Sequence, residues 1–426
     1  MGNTDGHGLA RTNTDRVEKM AIAMWKQSVL GVGVVLGALA GADDATLLSH
    51  HPFRNGEHVV QRLSPDKEPV GLPAEIQWVS KTWGEENAQM PYLVYMPEKD
   101  RVALLAECRQ PIQSALVFSD DHGKTWSDRK WMSTDSEGKP NGVALGMTYL
   151  GGGKLLAYPE NVVSGRWKSS DFGATWTQFT PVDTATERYM WDPLLVLKDG
   201  DGQVTKLVEA SWRPTGVPWA SPEGFYSQAY FRSSIDEGQT WSDEVKVPQW
   251  LGVNEVSIIR AQNGDWVAAC RTDYPKRFAH FGLDHYGGLS VSISKDEGKS
   301  WSDLKQVYEW GRHHPSMVLL PDGRILMTYV VRLGYPDTTE SLPQFGVEAT
   351  ISSDNGQTWD LDRRYVLAKW TGSVTGDKAW FCSVQSTTTV RMDDGTILTA
   401  FGIGLRNTPA TEVCQMDVAV VRWRLE

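Results

Sequence analysis

The sequence predicts an all-β protein, a six-bladed β-propeller with four-stranded antiparallel blades, the last blade closed by an N-terminal strand. Three observations lead there. A short motif, S-x-D-x-G-x-[ST]-W, recurs five times; a pair of apolar strands around a tight turn precedes each copy; and the strands are too short and too evenly spaced for an α/β arrangement. Radial repetition of small sheets is one way such strands escape exposed edges.

Along the chain, residues 1–42 read as a leader carrying a signal peptide or anchor. Lys26 precedes an apolar run from Val29 to Leu39 that ends in the small-x-small pattern Ala38-Leu39-Ala40. That run is too short for a comfortable membrane span, so the mature protein is expected to be exported, periplasmic or extracellular, without a stable span. Residues 43–73 read as an irregular lead-in. Residues 74–426 then form the propeller, with a strand near Glu75–Ser80 completing the last blade.

The repeated motif lies at Ser119–Trp126, Ser169–Trp176, Ser234–Trp241, Ser294–Trp301 and Ser352–Trp359. Its residue types have a physical logic: Asp in a tight turn accepts bonds from nearby N–H groups, Gly supplies a positive φ, and the hydroxyl ties the flanks. Asp121, Asp171, Asp236, Asp296 and Asp354 are therefore structural rather than catalytic. Many of the 19 tryptophans occupy the motif's last position and serve packing.

Composition narrows the partners. A net charge of −11 and a pI near 5.4 offer no excess of positive charge for nucleic acid. Four cysteines show no metal-ligand spacing, so neither metal nor cofactor is expected. Cys108 and Cys270 hold matching places on opposite sides of the ring and are not expected to pair, whereas Cys382 and Cys414 share the last unit. The expected partner is a carbohydrate, bound by a monomer.

Strand parity separates two faces. The motif turns collect on one, and the starts of the innermost strands and the ends of the second strands collect on the other. At those starts the sequence places Gln89, Asp192, Asn254-Glu255, His313-His314 and Gln385-Ser386; after the second strands it places Arg109, Arg213, Arg271, Arg332 and Arg406, with Tyr274 in the phrase that follows Arg271. Glu255 and Asp192 suit general acid–base work at a glycosidic bond, His314 can move a proton near neutral pH, and arginines suit a carboxylate or sulfate. One histidine of the pair is expected to serve only a backbone carbonyl. The expected catalytic set is Glu255, Arg271, His314 and Asp192, with Arg332, Arg109, His313, Gln385, Tyr274 and Gln89 binding substrate.

At these residues the chain resembles the sialidase (neuraminidase) superfamily, whose six-bladed propellers carry repeated Asp boxes. The resemblance runs from about Met90 to the C-terminus. The superfamily's Asn-Glu before an apolar strand, its glycine turn and the arginine closing the next strand are matched by Asn254-Glu255, Asn263-Gly264 and Arg271. It implies that Glu255 activates a nucleophile and that Arg271 grips a substrate carboxylate. Other positions depart from the pattern. Gln89-Met90-Pro91 stands where the family has an arginine before Ile-Pro, Ser386-Thr387 replaces the usual Tyr-Ser, and the loop before the first box is short. The expectation is an exo-acting glycosidase on an acidic or decorated glycan. A polysaccharide lyase on a uronic-acid glycan and a non-catalytic glycan-binding propeller are the alternatives.

Overall fold

The computed structural model describes residues 53–83, 88–109, 112–132, 144–159, 165–182, 188–190, 192–218, 221–273, 275–281, 287–333, 343–372, 383–406 and 414–426. The expected leader, Tyr274 and Cys382 lie outside them, as do the side chains of Arg109, Arg406 and Cys414. Among the described residues no helix is long and apolar enough to cross a membrane.

All the sheets are antiparallel and the arrangement is propeller-like. Four sheets have four strands each: Ala88–Met96 with Arg101–Arg109, Ile112–Ser119 and Lys130–Trp131; Gly146–Gly151 with Lys154–Tyr158, Arg166–Ser169 and Thr177–Phe179; Leu195–Lys198 with Val204–Pro214, Ser227–Ser234 and Val245–Leu251; and Val253–Arg260 with Trp266–Thr272, Gly288–Ser294 and Lys305–Tyr308. A nine-stranded sheet holds the rest. One run in it is Arg312–Leu319, Ile325–Leu333, Gln344–Ser352 and Tyr365–Thr371; the other is Val70–Trp78, Cys414–Trp423, Ile397–Arg406 and Val384–Arg391. The strand Gly56–Arg62 lies between the two runs and pairs with both.

This corrects the expected irregular lead-in over residues 43–73. Gly56–Arg62 pairs along its full length with Val70–Ile76, and Gln61 and Arg62 pair with Val366 and Tyr365. Val60 turns inward and is fully buried, while Val59 stays exposed, the alternation of a strand with one covered face. The N-terminal strand of the last unit does form, with Glu75–Trp78 pairing Arg422–Ala419.

The five Asp boxes are built alike. In each, the serine Oγ accepts the glycine N–H at 2.8–2.9 Å and donates to the aspartate, which also accepts the threonine or serine hydroxyl at 2.5–2.6 Å. The turn needs two consecutive left-handed residues. Besides the glycine, His122, Phe172, Glu237, Glu297 and Asn355 all have φ of 56–62°.

Each box leans on a neighbouring sheet. Gly123 faces Leu398, Gly173 faces Phe118, Gly238 faces Leu156, Gly298 faces Trp266 and Phe231, and Gly356 faces Val267. A Cβ on Gly356 would come within 2.7 Å of Val267, so the close approach, and not only φ, requires glycine. The first box thus packs on the last unit and brings the ring round. The inner strands are also stitched: Leu93 N–H donates to Thr388 Oγ1, Thr389 N–H to Ser316 Oγ, and Leu194 N–H to Thr148 Oγ1. Cys108 and Cys270 are buried and free.

Two outcomes test this architecture. Ser352→Ala removes the acceptor of the Gly356 N–H and should cost about 1–3 kcal/mol, read as a lower urea midpoint; an unchanged midpoint would refute the role given to the box. Burial alone would raise the carboxyls of Asp121, Asp171, Asp236 and Asp354, but the hydrogen bonds within each box outweigh it and hold them below the ordinary value. At Asp296 the Ser300 hydroxyl leads, and the carboxyl is held down to about 2. A depressed folded pKa stabilises above the unfolded value of about 3.9 and ceases to do so as pH falls through the folded one. Acid unfolding is therefore expected below about pH 4, with the box hydroxyls gaining exchange first.

Candidate active site

The inner strands do not begin as plain strands. Register shifts fall between Gln89 and Tyr92, Val253 and Val256, His313 and Ser316, and Val384 and Thr387, leaving two residues on the inner strand opposite one on its partner. Such a bulge re-aims a side chain. The two residues are Met90-Pro91, Asn254-Glu255, His314-Pro315 and Gln385-Ser386, and from each pair one, Met90, Glu255, His314 and Ser386, lines a small axial cavity. Met90 and His314 reach it with φ of 50°, unusual for residues with a Cβ. Asp192, Tyr92, Pro315 and Thr387 complete the wall.

The residue just before each of these four faces elsewhere, as alternation along a strand requires. Gln89 Nε2 donates to Glu107 Oε2 at 2.6 Å, and both side chains are buried. Asn254 Oδ1 accepts the Glu255 N–H at 2.7 Å and fixes the bulge. His313 is fully buried, its ring 4.7 Å from that of His314. Gln385 donates to the Ser383 carbonyl at 3.3 Å. The row of polar residues expected at the inner-strand starts is thus divided into those that line the cavity and those that brace it.

Glu255, Arg271 and His314 form a closed triangle. Arg271 Nη1 donates to Glu255 Oε1 at 2.6 Å and to His314 Nε2 at 3.0 Å, and His314 Nδ1 lies 2.5 Å from Glu255 Oε2. A guanidinium can only donate, so His314 Nε2 must accept and the ring proton sits on Nδ1, facing the carboxylate. His314 is neutral in this arrangement. Burial pushes its pKa below the ordinary value, Arg271 adds to the fall, and Glu255 opposes it.

Asp192 has the opposite environment. Burial and the charge of Glu255 push its carboxyl up to about 8, only partly offset by the Val256 N–H and by Arg271. Its carbonyl accepts the Tyr158 hydroxyl at 2.8 Å. Tyr92 is buried beside both acids; burial, then Asp192 and Glu255, hold its phenol well above the usual range and so protonated. Arg332 is turned to the backbone, with Nε on the Val384 carbonyl at 2.8 Å and Nη2 on that of Gln385 at 3.0 Å. It braces the bulge that presents Ser386.

Tyr92 was not singled out by the sequence, where it reads as one more apolar residue of an inner strand. A signal was there: Met90-Pro91, Asp192-Pro193 and His314-Pro315 share a proline after the axial residue, which aligns Met90 with the acids and sets Tyr92 two residues on. Among the described residues no cluster of histidine, cysteine and carboxylate side chains could hold a metal ion.

The repeated boxes, the ring of sheets and the axial cavity define a BNR/Asp-box β-propeller. The chain belongs to the BNR repeat-like domain family, whose model matches residues 163–403, and a BNR/Asp-box repeat matches residues 117–128. No curated protein matches it in sequence. Among solved structures it is similar to a protein of unknown function from Dyadobacter fermentans DSM 18053, 17% identical over 87% of this chain and 100% of that one, with a TM-score of 0.55. It is also similar to the phage phi92 endosialidase, 10% identical over 85% of this chain and 71% of that one, with a TM-score of 0.58. The leech intramolecular trans-sialidase, crystallised with 2,7-anhydro-Neu5Ac, is 12% identical over 91% and 72%, with a TM-score of 0.50. At such identities the likeness is one of fold.

The pKa of Asp192 has a measurable consequence. Its folded value lies above the unfolded one of about 3.9, so its contribution is fully present below that pH and is lost as pH rises through about 8. Between pH 7 and 9, above the unfolded histidine range, the urea midpoint should fall in the wild type and fall less in Asp192→Asn. Equal slopes in the two proteins would remove the assignment.

Proposed function

We propose that this chain is an exported glycoside hydrolase that removes a terminal sugar from a decorated glycan, in the axial cavity of a six-bladed propeller spanning residues 74–426. The two four-strand runs of the nine-stranded sheet are counted as the fifth and sixth blades, joined at their outer edges by Gly56–Arg62. Export rests on the apolar run and small-x-small pattern at residues 29–40.

The observation that carries the reading is the pair of carboxyl groups facing one cavity from contrasting environments. Asp192 keeps its proton near neutral pH, whereas Glu255 is ion-paired with Arg271. Environments that push two acids apart assign their roles. Asp192 gives its proton to the glycosidic oxygen as the bond to the anomeric carbon breaks. Glu255 faces the positive charge that develops on the ring, as base for an attacking water or as the stabilising carboxylate. Arg271 and His314 hold Glu255 in position, and the neutral phenol of Tyr92 donates to a ring hydroxyl.

Gln89, His313, Gln385 and Arg332 are assigned to bracing the cavity wall. Arg109 and Tyr274, placed by the sequence after second strands, are assigned to the leaving part of the glycan. The lyase reading loses support because Arg271, which would neutralise a uronate, is already engaged by Glu255 and His314.

Assays on aryl glycosides and on oligosaccharides test this. Glu255→Gln should lower kcat by about 10³-fold with a small change in KM; full activity in that variant would sink the assignment. Asp192→Asn should lose about 10²–10⁴-fold on substrates with poor leaving groups and far less on activated aryl glycosides, since only the former need the proton. The wild-type rate should decline above about pH 8, where Asp192 gives up its proton.

A further inference from the structure

We infer that the sugar ring seated in the axial cavity carries no anionic group, and is a neutral pyranoside rather than a sialic or uronic acid. The inference rests on the hydrolase reading above and narrows it to a substrate class.

Charge is the first argument. Among the described residues, those lining the cavity include two acids and no lysine or arginine. Gripping a carboxylate takes two N–H groups of one guanidinium in a fork. Arg271 directs Nη1 to both Glu255 and His314, and Arg332 directs Nε and Nη2 to the carbonyls of Val384 and Gln385. His314 accepts from Arg271 and so adds no charge of its own. A substrate carboxylate entering here would be stripped of water beside the charge of Glu255, with no cation of the described lining turned toward it, and like charges so placed repel.

The second argument is what the wall does offer. Ser386 is only 4% exposed, lines the cavity, and its Oγ has no hydrogen-bond partner among the described residues. Such a group calls for a ligand atom or a water. The phenol of Tyr92 can donate, Glu255 and Asp192 can accept, and Ser386 can do either. Sugar hydroxyls both donate and accept, so an uncharged polyol surface meets every one of these groups without leaving a charge unpaired.

The test uses the full chain on 4-methylumbelliferyl glycosides, with neutral hexosides, deoxyhexosides and pentosides set against uronides and sialosides. The best neutral substrate should exceed every carboxylated one in kcat/KM by about 100-fold or more. Preferential cleavage of a uronide or sialoside overturns the inference while leaving the hydrolase reading intact. If no glycoside is cleaved, the hydrolase reading fails and binding decides the inference. Calorimetric titration with neutral methyl pyranosides should then give heat, and glucuronic and N-acetylneuraminic acids should not; tighter binding of either acid, or binding of no sugar, overturns it. Ser386→Ala should weaken the preferred neutral sugar about tenfold in KM or Kd, and an unchanged affinity would remove Ser386 from the site.

Discussion

The structure depends on one hydrogen-bonded turn, in which a serine Oγ accepts the N–H of a glycine four residues on and an aspartate gathers the hydroxyls on either side. A small sheet of four strands has unsatisfied edges and too little core to stand alone. The turn answers this by locking two left-handed residues in place, so that the glycine's bare backbone can press on side chains of the preceding sheet. Repeated five times, that contact makes a ring. The ring in turn crowds the starts of the inner strands round one axis, where bulges aim Glu255, His314 and Ser386 at the same space.

Polar groups gathered so closely must settle one another's charges. Arg271 meets this demand for Glu255, and in doing so fixes the tautomer of His314. Asp192, across the cavity, has no such partner and meets the demand by keeping its proton. One buried ion pair thus creates two unlike acids. The division of labour proposed for hydrolysis comes from which acid has the arginine, not from any difference in the acids themselves.

Much of this was legible in the sequence because it repeats. The boxes and the Asp-Gly and Asn-Gly turns fix strand direction, and direction alone places the inner-strand starts at one end. Glu255, Asp192 and His314 could be singled out on that basis. What sequence could not resolve was which of two adjacent polar residues faces the axis. His313 and His314 are equivalent in composition and differ only by the bulge that turns one inward, and a bulge is a tertiary feature with no fixed residue signature. The same limit hid Tyr92, and it grouped Arg332 with Arg271 although one holds backbone and the other a carboxylate. The lead-in was misread for a different reason: Gly56–Arg62 has little apolar content and is a strand because two outer edges need covering.

That bridging strand lies where no Asp box reaches. Five boxes join neighbouring units, and the remaining junction, between the run ending at Tyr365–Thr371 and the run built on Val384–Arg391, is sewn by Gly56–Arg62 instead. The thread pairs on one side with the strand that follows it and on the other with a strand far later in the chain, Gln61 meeting Val366. Gly56–Arg62 can pair early with Val70–Ile76, but the two outer edges of that hairpin must wait for the strands at Tyr365 and Cys414–Trp423 to emerge. Closure of the molecule is therefore its most non-local and slowest contact to form, and the early strand is the edge that a nascent chain must shield from its neighbours.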